Sequence, residues 1–76
     1  MYLLLMAGDK NVEKEYKRLL KERDRLLDEL QKLKKRYESG ELNEETYKRN
    51  RYDIERQIVE VMDRITQLKF LLGVAD

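Results

Sequence analysis

The chain contains no cysteine, histidine, tryptophan or proline, and only three glycines. Without Cys or His it has no zinc finger, thiolate nucleophile, Ser-His-Asp triad or imidazole metal site. Missing proline and scarce glycine remove the turns that a β-sandwich or barrel requires. An excess of one charge is lacking too: 17 Lys and Arg stand against 16 Asp and Glu, a net charge of +1. No global field therefore draws in nucleic acid or an anionic membrane. The one strongly apolar run, Met1–Ala7, is too short for a membrane span. It also lacks the basic start and longer apolar stretch of a secretory leader. Absent cysteines fit a reducing compartment, so the expected location is cytoplasmic.

What is present points to long helices. Of 76 residues, 43% are charged and 41% apolar, with Leu, Glu, Lys and Arg dominant. This length makes at most one domain, close to the lower limit for a self-sufficient core. Disulfide and metal staples being excluded, oligomerisation is the expected supplement.

In the first periodic stretch, apolar residues fall at Val12, Tyr16, Leu19, Leu26, Leu30, Leu33 and Tyr37, with Arg23 in the one gap. Steps of four and three alternate, an a/d heptad pattern sustained for nearly four repeats. The spacing predicts a helix over about 10–39, with Gly40 as its C-terminal stop. Ahead of it, residues 1–8 read as a short apolar arm, divided from the helix at Gly8 and Asp9. The second helix, about 44–72, opens on Asn43 as N-cap, with Glu44 and Glu45 in the first turn. Leu42 and Tyr47 stand where a hydrophobic staple would. Its stripe runs Tyr47, Ile54, Ile58, Val61, Ile65, Leu68 and Leu72, with Arg51 in the gap, and Gly73 ends it. Residues 74–76 form a tail.

A turn at 40–43 is short enough to force antiparallel neighbours. Pairing the stripes gives Tyr37 with Tyr47, Leu33 with Arg51, Leu30 with Ile54 and Leu26 with Ile58. Arg23 with Val61, Leu19 with Ile65, Tyr16 with Leu68 and Val12 with Leu72 follow. Each pair of residue numbers adds to 84, so the register does not drift. The fold class expected is all-α: a long antiparallel helical hairpin, a two-helix coiled coil spanning 9–73.

Arg23 and Arg51, in positions that usually hold aliphatic residues, can pack their stems and extend their guanidinium groups to solvent or a nearby carboxylate. A register-fixing role, at a cost in stability, is the alternative. One border of the seam is mostly polar and suggests a Glu22–Arg64 pair. The other carries Leu20, Leu27, Tyr52, Val59 and Met62, which a two-helix hairpin cannot bury by itself. These five are the expected self-association residues, joining two hairpins in a homodimeric four-helix bundle. A foreign helix docking in the same groove is the alternative.

No chemistry is expected. The three glycines are isolated at helix boundaries and form no phosphate loop. No Glu-x-x-His motif offers a di-metal site. No Asp or Glu falls on the seam, where an acid/base dyad would gain a shifted pKa. The sequence therefore identifies no catalytic, cofactor-binding or metal-ligating residue. A nucleic-acid reading rests on the hairpin tip, where seven cations meet four acids between residues 31 and 52. Lys34, Lys35, Lys48 and Arg49 would contact the phosphates, and Tyr37, Tyr47 and Tyr52 could stack on bases.

The segment Gly40-Glu41-Leu42-Asn43-Glu44-Glu45-Thr46-Tyr47, followed by Lys48 and Arg49, resembles the turn of SHOCT-type short helical modules. Those read glycine, any residue, aliphatic, Thr or Ser, any residue, two acids and an aromatic before basic residues. Asn43 stands here in place of the hydroxyl cap, and both helices are longer. The resemblance implies a small interaction or oligomerisation element. The reading is thus a non-enzymatic assembly or adaptor protein, with a protein partner besides its own second copy, and with nucleic-acid binding as the alternative.

Overall fold

The computed structural model describes the backbone of residues 2–73 and the side chains of residues 10–73. Two α-helices, α1 (Tyr2–Glu38) and α2 (Glu44–Leu72), pack as an antiparallel hairpin with overall dimensions of 56 × 20 × 15 Å. The all-α hairpin is as the heptads predict. Among the described residues, no helix is long and apolar enough to cross a membrane.

The turn is held by local chemistry. At the end of α1 the Glu41 N–H bonds the Arg36 carbonyl at 2.9 Å and the Gly40 N–H bonds that of Tyr37 at 3.0 Å. This Schellman pair requires a left-handed residue, supplied by Gly40 at φ 82°. Asn43 then caps α2: its side-chain oxygen accepts the Thr46 N–H at 2.7 Å. Glu44 and Glu45 fill the first turn of α2, where negative charge suits the helix dipole. Gly73, at φ 70°, closes α2.

Every position of the two stripes is buried or half-buried, and neighbouring outer positions are mostly exposed. Leu19, Leu26, Leu33, Ile65 and Leu68 form the fully buried core, with Leu26 the deepest at 1% exposure. Leu19, Ile65 and Leu68 cluster together, with Val12, Tyr16 and Val61 packed against them. At the tip the Tyr37 and Tyr47 rings stack at 4.3 Å, nearly parallel at 5°. These contacts anchor the register at both ends of the hairpin.

Two local expectations are corrected. α1 does not begin near residue 10: it runs unbroken from Tyr2 through Gly8 and Asp9, so residues 2–8 continue the helix instead of forming a separate arm. A single mid-helix glycine costs only about 1 kcal/mol, too little to stop a helix carried by strong formers on either side. The side chains of that segment, Met1 and the 74–76 tail lie outside the described residues. Second, Glu22 does not pair with Arg64. Arg25, three residues along α1, donates to the Glu22 carboxylate instead, a shorter reach than crossing the seam.

The outer faces are laced by ion pairs along each helix: Lys17–Glu13 at 3.2 Å, Lys32–Asp28 at 3.0 Å, Lys48–Glu44 at 2.9 Å and Arg49–Glu45 at 3.1 Å. In each the acid precedes the base by four residues, the favourable order with respect to the helix dipole. All are exposed and screened by solvent, so each adds little to its helix. The fold rests on the apolar seam.

Candidate functional site

The flank of the seam that carries Leu20 and Leu27 on α1 and Tyr52, Val59 and Met62 on α2 is where the hairpin leaves large apolar groups in water. Tyr52 is 66% exposed, Val59 57%, Leu27 44% and Met62 40%. Leu20 is half-buried and packs against the Leu19–Ile65–Leu68 cluster, linking the flank to the core. Isolated exposed apolar residues are ordinary on protein surfaces, but their concentration on one side of a hairpin this narrow is not. Toward the tip the flank continues into an open groove of about 490 Å³ between Leu27, Leu30 and Lys34 on one side and Tyr47, Arg51 and Glu55 on the other.

The two seam arginines behave differently. Arg23 turns its guanidinium outward, where Nε and Nη2 donate to Asp24 at 3.2 and 3.1 Å. Arg51 stays closer in. Its guanidinium lies over the Tyr47 ring, 5.4 Å from the centroid, and its Nε is 3.8 Å from a Glu55 carboxylate oxygen. That separation is too long for a hydrogen bond, and the Nε–H is buried without a partner. An orphaned donor of this kind costs about 1–3 kcal/mol, partly offset by the cation–π contact. Arg51 is therefore a strained point in the wall of the groove.

The sequence-predicted nucleic-acid residues lie on several faces of the tip. Lys48 and Arg49 are engaged with Glu44 and Glu45. Lys34 lines the flank groove, and Lys35 is exposed on α1. Tyr37 and Tyr47 present their faces to each other, and Tyr47 also carries Arg51. Of the three tip tyrosines, Tyr52 alone is exposed. The structure does not bring the four cations and three rings together on one surface.

On the opposite border, Glu15 accepts a hydrogen bond from Arg18 at 2.6 Å, which holds its carboxyl below the ordinary carboxylate value; the positive charge of Arg64 across the seam adds to this. The hydrogen bond from Arg25 lowers Glu22 in the same way, and Lys48 lowers Glu44. Glu44 is exposed, while Glu15 and Glu22 are half-buried at the seam border, Glu15 in a shallow open hollow with Arg18 and Arg64. Their shifts come chiefly from neighbours on the same helix and have the character of helix-surface pairing rather than of a proton-transfer site.

One apolar feature escaped the heptad reading. Phe70 is 86% exposed and Leu71 65%, on the outer side of the last turns of α2. With Thr66 and Gln67 they line an almost wholly apolar hollow. Phe70, the chain's single phenylalanine, falls outside the stripe, and that mismatch was the available signal.

Compared with family models, with curated proteins and with solved structures, this chain matches none of them.

Proposed function

We propose that this chain is a non-enzymatic assembly element of the cytoplasm, a coiled-coil hairpin whose second copy covers the Leu20–Met62 flank to complete a four-helix bundle. The observation that carries the reading is the set of exposed Leu27, Tyr52, Val59 and Met62 side chains on one flank. Full burial of a side chain of this size is worth roughly 1.5–3 kcal/mol, and the isolated hairpin forgoes much of that at each position. Among the described residues five apolar side chains are buried, a small core, and small domains lacking disulfides or metals commonly supplement such cores by association. The SHOCT-like turn around Gly40–Arg49 agrees with an interaction module. Charged outer faces and the Phe70–Leu71 hollow would then be free to engage another protein as an adaptor.

Molar mass by light scattering, over a concentration series, tests the proposal. Twice the 9.3 kDa chain mass is expected. A persistent monomer would sink self-association and make a foreign helix the occupant of the flank. Salt-sensitive binding of a labelled RNA or DNA, lost in Lys35→Glu with Arg49→Glu, would shift the function to nucleic acid.

A further inference from the structure

Given the dimer proposed above, α1 also encodes the orientation of the second copy. Along the flank, Glu13, Leu20, Leu27 and Lys34 recur every seven residues, the period that keeps side chains in one line on a supercoiled helix. In chemical order this line reads acid, apolar, apolar, base. Such a line is its own complement when laid antiparallel on a copy of itself. Setting Leu20 against Leu27 of the second copy brings Glu13 against that copy's Lys34, and symmetry repeats both contacts. A two-fold interface requires this kind of self-complementarity.

We infer that two hairpins dock along this α1 line with their tips at opposite ends of the bundle. The state of the end charges agrees. Lys34 has no carboxylate partner among the described residues, so it is available to Glu13 of the second copy. Glu13 is held only by Lys17, at 3.2 Å, with both side chains more than half exposed, a contact given up at little cost. On α2 the same two-fold passes between Glu60 and Val61 and brings Val59 level with Met62 of the second copy. In that register Tyr52 meets Lys69 of the second copy, and Lys48, which carries Glu44 at 2.9 Å as its own counter-ion, lies beyond it toward the tip.

The other symmetric arrangement, with both tips at one end, sets α1 against α2 of the second copy. Lys34 would then face Lys48, gathering four lysines of the flank into one layer, and Leu27 would face Glu55. By the same register Glu13 would face Lys69 and Leu20 would face Met62, so α2 complements two of the four α1 positions, whereas the α1 line complements itself at all four. A contact running the length of a ~45 Å helix pair, roughly 15 Å wide, covers on the order of 700 Å² per copy, the scale of a standard stable interface.

The chain has no cysteine, so Ser39→Cys at the exposed tip gives a single attachment point for a nitroxide, and pulsed electron paramagnetic resonance reads the tip-to-tip distance. With the two-fold between Leu20 and Leu27, the tips should lie roughly 45–50 Å apart. In the tips-together arrangement they would lie within about 20 Å. A short distance in a confirmed dimer overturns this inference and leaves the assembly reading intact. A monomer by light scattering overturns the assembly reading itself. As an independent arm, Glu13→Lys and Lys34→Glu should each weaken dimerisation by about 2–10-fold, and the double exchange should restore it. Helicity by circular dichroism should be unchanged in all three variants. Singles that dimerise like wild type, or a double that remains weak, would refute the charge pairing.

Discussion

Leu26 and Leu27 are adjacent in the chain and opposite in fate, which makes Leu27→Asp the most informative perturbation. Leu26 is 1% exposed and Leu27 44%. In the hairpin alone, an aspartate at 27 keeps its charge in water and costs roughly 0.5 kcal/mol of helix propensity. In the proposed dimer it loses the remaining burial of a leucine, roughly 1 kcal/mol. It also places an unpaired carboxylate beside Leu20 of the second copy, about 1–3 kcal/mol more. Both copies bear the change, so the dimer should weaken by roughly 4–8 kcal/mol, about a thousandfold or more in dissociation constant. Light scattering over a micromolar to near-millimolar series reads this directly. Leu26→Ala is the companion: it leaves the flank intact and should lower folding stability by about 3 kcal/mol, seen as an earlier thermal transition. If Leu27→Asp retains the dimer mass of the wild type, the flank is not the self-contact and the argument from exposure fails.

Arg51→Leu removes the orphaned Nε–H and fills the seam opposite Leu33; a stability gain of about 1 kcal/mol should raise the melting temperature by about 4–8 °C, whereas a drop would show that the contact with Tyr47 outweighs the buried donor. Asn43→Ala deletes the cap that accepts the Thr46 N–H and should cost about 1 kcal/mol in denaturant titration, while Asn43→Ser should be near neutral; equal losses in both would mean that the cap contributes little. Glu15, Glu22 and Glu44 have carboxyls lowered below the ordinary 4.5 by their cation partners, so their stabilising effect is complete above that value and is lost as pH falls through the lowered folded values. The melting temperature should therefore decline on acidification below the carboxylate range, less steeply in high salt and in Glu15→Gln with Glu22→Gln, and a profile indifferent to both would show that these pairs are not felt.

Much of the hairpin was legible because its determinants are short-range. The four-three spacing from Val12 to Tyr37 and from Tyr47 to Leu72 marks two helices whatever surrounds them. Gly40 and Asn43 work through hydrogen bonds within a few residues of their own positions. A turn that short leaves one register, and the Tyr37–Tyr47 stack occupies it. The flank was legible for the same reason, since residues beside a known seam fall on a known side. Gly8 does not break α1 because a lone glycine weighs little against the cooperativity of a long helix. Phe70 lies outside the stripe and so carries no periodic signal.

By itself, then, the sequence determined two helices, their antiparallel pairing and which side remains apolar, since all three follow from periodicity and local capping. Only the tertiary structure decided how deeply each seam residue sits, and that Arg23 escapes to Asp24 while Arg51 is left over Tyr47 with a donor unsatisfied. It also decided that Glu22 turns to Arg25 rather than to Arg64. These outcomes depend on which side chains come within hydrogen-bond distance, and heptad spacing fixes which side chains are neighbours without fixing which of them reach each other.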